Sequence, residues 1–388
     1  MIDRRKRSCL EALAWREWRV ASAVSRGRAQ LVAGILTFAT ACAEPTAPIL
    51  PCDATVSDAC WQFLGPAGTR VTSIDESVEG LWIGTRTDGV LRLSGGRSWI
   101  QDGLQGRWVS ALAVDSRGQQ WATLVASRID SGVPAVYARD RAGRWSLFPA
   151  NSWRAKDGAL AVASKYYGAA FSISVSASRP GTVTVGLSAP VVRTTDDGTT
   201  WAYVFGNAAQ AGLAVFAIFE SRQTGGPLYA AAANGGGFAM FLRSRDGGAS
   251  WSSTIPFPGG PPEALDVTAV PTDETIVLLA TPGGIARSFD SGDHWGFPLV
   301  LPTPGTAWSF ATSSDGSIFV VIALDAGAGD GSERLGLSSS DDRGLNWTAL
   351  KVPASASGGR AARIASDGSL LVGTTNGVWR RRIPSLPI

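Results

Sequence analysis

Histidine is almost absent from this chain: one in 388 residues, alongside two methionines, four cysteines, four lysines and five tyrosines. A nucleophilic triad needs an imidazole base, and His294 is the only one on offer. Charge is scarce as well. Asp, Glu, Lys and Arg make up 17% of the chain, against about 25% in an ordinary globular protein, which excludes disorder driven by self-repelling charge. Glycine is abundant at 46 residues but follows no Gly-X-Y period, so a collagen helix is excluded. What remains is a chain of 15 Trp, rich in Gly, Ser and Thr and poor in Lys and Glu. That composition reads as all-β with many turns.

The net charge of +3 is unevenly placed. Residues 1–30 carry eight cations (Arg4, Arg5, Lys6, Arg7, Arg16, Arg19, Arg26, Arg28) against Asp3, Glu11 and Glu17. An apolar run, 31–41 (LVAGILTFATA), follows and ends at Cys42. A basic n-region, a short apolar core and small residues before a cleavage point are the parts of an export signal. Ala39-Thr40-Ala41-Cys42 resembles a bacterial lipoprotein signal, which implies lipidation of Cys42, although the Leu usual three residues before the Cys is missing. Simple secretion and an uncleaved membrane anchor are the alternatives, since 29–50 carries a single charge, Glu44. The rest of the chain holds 27 basic and 29 acidic residues, so no basic stripe remains for nucleic acid. Cys52 and Cys60, in CDATVSDAC, are expected to form a small-loop disulfide in an oxidising compartment. Two cysteines and one distant histidine make a poor metal site.

Four segments align without gaps: 194–201 (TTDDGTTW), 244–251 (SRDGGASW), 288–295 (SFDSGDHW) and 340–347 (SDDRGLNW). All have the form [S/T]-x-D-x-G-x-x-W, built on Asp196, Asp246, Asp290 and Asp342 and closed by Trp201, Trp251, Trp295 and Trp347. Looser copies precede them at 92–99 (RLSGGRSW) and 138–145 (ARDRAGRW). The hydroxyl and the carboxylate suit the backbone N–H groups of a tight turn, Gly supplies a positive φ, and the Trp opens the next strand and packs. The pattern resembles the Asp-box (BNR) repeat of sialidase-like β-propellers. The resemblance implies that these aspartates are structural and lie on the face opposite the ligand site.

Between the boxes run short Val-, Ile- and Leu-rich strands such as 109–114 (VSALAV), 276–284 (IVLLATPGG) and 370–377 (LLVGTTNG). Such strands, broken by turns every 8–12 residues, build four-stranded units, and one unit per 40–50 residues is a propeller blade. Box-type Trp at 99, 145, 201, 251, 295 and 347 mark six units. After the last, 359–383 offers only three strands, and 60–64 (CWQFL) offers the missing outer one. The expected fold is therefore all-β: a seven-bladed β-propeller of four-stranded blades, closed by an N-terminal strand completing the C-terminal blade, with six or eight blades as alternatives. The expected layout is an export signal or anchor at 1–41, a tether at 42–57 and one propeller domain at 58–388.

Binding is expected on the face opposite the boxes. The longest connection, 149–167, interleaves Trp153, Arg154 and Lys156 with Tyr166 and Tyr167, a mixture suited to a protein or glycan contact. Arg128 lies in another connection of that face, while Arg107, Trp108, Trp308, Arg360 and Arg363 are placed near the starts of inner strands, where they would line the channel. Asp325, Asp330 and Glu333 form an acidic loop without EF-hand spacing. No cofactor or metal is expected.

The enzyme reading finds few parts. The sialidase pattern wants Arg-Ile-Pro before the first blade and a Tyr paired with a Glu; Arg-Ile-Pro occurs only at 382–384. Glycoside hydrolysis needs two carboxylates across a cleft, for which Asp266 and Glu220 are the candidates. Among exported Asp-box propellers, the chain is most similar to the photosystem II assembly and stability factor family. That resemblance implies a non-catalytic propeller, tethered on the periplasmic side by an N-terminal lipid or helix, that binds subunits of a membrane-protein complex and helps assemble or stabilise it. The alternative is a glycan-binding or sialidase-like propeller.

Overall fold

A computed structural model describes residues 60–96, 98–125, 135–148, 153–155, 169–188, 191–206, 213–299, 305–313, 316–325 and 333–383. The leader, Cys42 and Cys52 lie outside them, as do Arg128, Lys156, Tyr166 and Tyr167. The described residues form 29 strands in seven sheets and no helix.

Six sheets are consecutive meanders of four antiparallel strands, at 71–103, 108–148, 170–205, 214–254, 266–299 and 306–349. They are blades 1–6. Blade 7 takes three strands from 359–381 and its outer strand, Trp61–Gly65, from the start of the domain. Trp61 pairs with Arg381 and Phe63 with Trp379, and the rings of Phe63 and Trp379 lie 4.9 Å apart. Trp61 Nε1 donates to Lys351 O at 3.0 Å, fixing the closing strand to blade 6. Cys60 is disulfide-bonded. Closure leaves the ring no open radial edge between its first and last blades.

Blades pack face to face, so their second strands are buried on both sides. Val183–Leu187 and Leu370–Thr374 are buried at every position, whereas the outer strands Ser252–Thr254 and Thr348–Ala349 are exposed throughout. Each core cluster therefore spans neighbouring blades; Phe241 of blade 4 packs with Val277, Leu279 and Ala286 of blade 5. Burying each Leu or Ile there contributes roughly 1.5–3 kcal/mol. Blade 3 departs from the four-strand expectation, because Trp153–Ala155 adds a fifth strand, parallel to Trp201–Phe205. The long connection thus returns to the outer edge of the blade, with Trp153 opposite Trp201 and Arg154 opposite Ala202.

The four full eight-residue motifs fold alike at the turn between third and outer strands. In 288–295 the Asp290 carboxylate accepts from Ser288 Oγ (2.8 Å), His294 N (2.8 Å) and the His294 ring (2.6 Å). Ser288 Oγ in turn accepts from Gly292 N at 2.8 Å. Asp196, Asp246 and Asp342 repeat the pattern. Trp251, Trp295 and Trp347 each donate Nε1 to the carbonyl of the motif's own glycine. A side chain of the preceding blade seats on that glycine: Phe148 on Gly198, Phe241 on Gly292 and Leu278 on Gly344. The turn is thereby an inter-blade joint.

The two looser copies fold differently. At 92–99 a Gly95-Gly96 hairpin with both φ positive replaces the motif. At 138–145 the glycine stands one place later, and Asp140 accepts from Ala142 N and Arg144 N in a plain Asx turn.

Candidate functional site

Seven inner strands surround the central channel, and their first residues share a tetrad. It reads VTSI at 71–74, VSAL at 109–112, AFSI at 170–173, VFAI at 215–218, ALDV at 264–267, AWSF at 307–310 and GRAA at 359–362. The first residue is buried in every blade. In six of the seven, the pairing to the second strand skips the second residue of the tetrad, a β-bulge. Bulges bend a strand and re-aim a side chain. Here they turn Thr72, Ser110, Phe171, Phe216, Trp308 and Arg360 into one cavity of about 320 Å³ at the channel mouth, and Leu265 joins them from blade 5.

The ring is two-sided. Blades 3–6 supply an apolar wall of Phe171, Phe216, Leu265 and Trp308, with the two Phe rings 5.1 Å apart. Blades 7, 1 and 2 supply a cationic wall of Arg360, Arg70, Arg86 and Trp108. Arg86 lies over the Trp108 ring at 4.7 Å and Arg360 over the Trp308 ring at 4.3 Å. Such stacks hold a guanidinium plane in place, at about 0.5–2 kcal/mol each. The Arg360 side chain is only 9% exposed and pairs with Glu333. Burial pushes its guanidinium pKa down, the Glu333 carboxylate opposes this, and the nearby Arg70 and Arg86 charges add to the fall. Among the described residues neither Arg70 nor Arg86 has an acidic partner. Among the described residues the buried donors Arg360 Nε and Trp308 Nε1 have no acceptor. The mouth thus offers unused positive charge and N–H donors facing an aromatic wall. Such a site fits a ligand with an anionic end and an apolar body.

Of the residues expected to bind a partner, the structure brings Trp108 and Trp308 into this mouth. The strand of Trp153 and Arg154 pairs at the outer edge of blade 3 instead. Arg360 lines the mouth, but Arg363 is at the far end of the same strand and pairs with the buried Asp75 at 2.7 Å. Arg107 is not among the residues lining the cavity. Glu333 belongs to the Arg360 pair, Asp330 lies outside the described residues, and the side chain of Asp325 is not described. Among the described residues no acidic, His and Cys cluster suits a metal ion. Asp266 and Glu220 stand at opposite ends of their inner strands, one near each mouth. Asp266 accepts from Val267 N and Phe310 N at 2.7 and 2.8 Å, and burial raises its pKa to about 6. It braces blade 6 rather than facing Glu220.

Sequence reading missed Arg70, Arg86, Phe171, Phe216 and Leu265. The signal that finds Phe171, Phe216 and Leu265 is the tetrad itself, whose second position alone varies from hydroxyl to aromatic to cation; Arg70 and Arg86 lie outside it.

No family profile and no curated protein sequence matches the chain. Solved structures do match in fold. A streptogramin B lyase structure has a TM-score of 0.60 at 14% identity, covering 83% of this chain and 97% of that one. The structure of YCF48 bound to D1 peptide has a TM-score of 0.56 at 16% identity, covering 84% and 96%. The extracellular domain of a hybrid two-component system from B. thetaiotaomicron has a TM-score of 0.58 at 12% identity, covering 83% and 41%. At such identities the likeness speaks for the seven-bladed fold alone.

Proposed function

We propose that this protein is a non-catalytic propeller, tethered to the membrane on its extracytoplasmic, periplasmic side, that binds a segment of a membrane-protein complex and helps assemble or stabilise it. The observation that carries the reading is the two-sided mouth, where bulged residues set an aromatic wall against Arg70, Arg86 and Arg360. A peptide with an acidic end and apolar side chains suits that arrangement. YCF48, a propeller of the same fold, is a precedent in holding a D1 peptide. The leader read from 1–42 supports the tether and the compartment, and the four eight-residue motifs read as Asp boxes of an exported propeller.

The test is affinity isolation of the full chain from detergent-solubilised membranes. Wild type should recover a membrane-protein partner, and Arg86→Ala, which removes an exposed cation with no acidic partner among the described residues, should lose most of it. Recovery of the protein alone refutes the scaffold role. Turnover in a screen of glycosides would replace it with the glycan reading.

A further inference from the structure

The face opposite the mouth carries an oddly placed set of apolar side chains. Among the described large hydrophobic residues the three most exposed are Val78 at 101%, Phe289 at 63% and Leu345 at 54%. All three are at turns of that one face: Val78 between the first two strands of blade 1, Phe289 and Leu345 in the motif turns of blades 5 and 6. Phe289 is held outward with its ring over the buried Arg287 guanidinium, 3.9 Å away. The closing strand begins at the same face, since Trp61 pairs with Arg381 at the lower end of blade 7 and Arg382 N donates to Cys60 O. The chain therefore enters the domain within the sector of blades 5, 6, 7 and 1 that bears the three tips.

Resting on the tether reading above, we propose that this face is a membrane-docking surface, its occupant the interfacial region of the lipid bilayer that holds the N-terminal segment. Length supports the assignment. With Cys60 disulfide-bonded and Cys52 its expected partner, the stretch 43–52 would link a lipidated Cys42 to the domain, and a flexible chain of that length would span roughly 17 Å. A domain of this size is about 50 Å across. The tether thus holds its own entry face nearest the lipid, and the opposite face far from it. Charge narrows the lipid class. Asp273, Glu274, Asp290, Asp293, Asp341, Asp342, Asp367 and Glu79 stand at turns of the same sector and outnumber the cations there: Arg343 close to Asp273, Arg243 and Arg245 close to Asp293, Arg380 close to Asp367, and Arg363 and Arg382. A surface so rich in acids gains nothing from anionic headgroups, so the tips dip into a zwitterionic interface. Three side chains hold weakly by themselves, and the tether supplies the effective concentration that makes them sufficient. Docked this way, the protein turns its arginine-lined mouth outward, toward parts of a partner that stand clear of the membrane.

Single cysteines at Val78, Phe289 and Leu345, and at Thr87 on the opposite face, would each carry an environment-sensitive fluorophore in the full, exported chain. The unmodified chain serves as blank. The labelled protein is reconstituted into phosphatidylcholine vesicles containing a quencher-bearing lipid. Labels at 78, 289 and 345 should lose most of their fluorescence and the label at 87 none, with no gain on adding phosphatidylglycerol. Protein that floats with the vesicles but shows no quenching at the three tips, or equal quenching at 87, overturns the docking face while leaving the tether intact. Protein that does not float with vesicles overturns both.

Discussion

Alanine at Gly292 places a methyl group within 2.7 Å of Phe241 Cζ, at a residue whose φ is +91°. Two costs combine. The left-handed backbone costs an L-residue about 1–2 kcal/mol, partly offset by about 0.4–1 kcal/mol of unfolded-state entropy that alanine removes. The crowding against the ring adds about 1–3 kcal/mol, because Phe241 is buried between blades 4 and 5 and has nowhere to go. The expected loss is about 3 kcal/mol. Gly237 is the control: its φ is +75° and an added Cβ would meet nothing within 4 Å, so Gly237→Ala should lose only about 1 kcal/mol. Urea titration at constant m-value reads the difference. In a Phe241→Leu background the Gly292→Ala loss should fall toward that of Gly237→Ala, since the crowding partner is gone. Equal losses for the two alanines in the wild-type background would refute the claim that the motif glycine is an inter-blade seat.

Ser291→Gly should stabilise by up to about 1 kcal/mol, since Ser291 has φ +59° where the equivalent residue in blade 4 is already Gly247; a lower urea midpoint would contradict this. Asp266, raised to about 6 by burial, binds its proton more tightly folded than unfolded. Its contribution is thus full below pH ~4 and is lost as pH rises through ~6, about 3 kcal/mol in all. Stability measured from pH 4.5 to 7.5 should fall less steeply in Asp266→Asn, and an unchanged slope would sink the assignment. Glu76 accepts from Ser366 N and Oγ across the closing seam at 2.7 and 3.0 Å. Glu76→Ala should therefore cost about 1–2 kcal/mol, visible as a lower thermal midpoint.

The ring was legible in the sequence because its determinants are local and repeated. Four copies of an eight-residue turn and the tryptophans that follow it set the blade period, and the strand shortage at 359–383 pointed to 60–64 as the closing piece. Trp61 opposite Arg381 is that prediction in register. The looser copies misled: in 138–145 Ala138 stands where the full motif has a hydroxyl and the glycine comes one place later, so Gly143 N donates to Asp140 O and the turn folds by another rule. The fifth strand of blade 3 was illegible because three residues, WRA, carry no pattern that separates an edge strand from a loop. The mouth was half legible. Trp108 and Trp308 stand out by rarity, but Phe171 and Phe216 look like strand interior until the bulge turns them inward, and Leu265 looks so although it lies just before its strand. Arg360 and Arg363 look alike in sequence, yet an inner strand crosses the whole ring, and three residues suffice to send one to each mouth.

The bulge also explains how one repeated unit can carry a site that is not repeated. Within each tetrad the first residue is buried, a Val, Ala or Gly, and the third is Ser, Ala or Asp. These positions meet the neighbouring blade: Ser172 Oγ donates to Val215 O, and the Asp266 carboxylate receives Phe310 N. Size and polarity there are constrained by packing that recurs round the ring. At the second position the Thr72 and Ser110 hydroxyls still donate to the next blade, at Val109 O and Ala170 O, whereas Phe171, Phe216 and Trp308 are lifted out of the ladder, face the channel and are released from that constraint. In this one chain it is Thr, Ser, Phe, Phe, Leu, Trp and Arg in turn. Substitution at Phe171, Phe216 or Trp308 should therefore change what the mouth holds at small cost in stability, whereas substitution one residue to either side should do the reverse. Phe216→Ala and Val215→Ala make the comparison directly: the first should weaken partner capture with a modest shift in the urea midpoint, and the second should shift the midpoint by about 1–3 kcal/mol and leave capture by the folded protein intact.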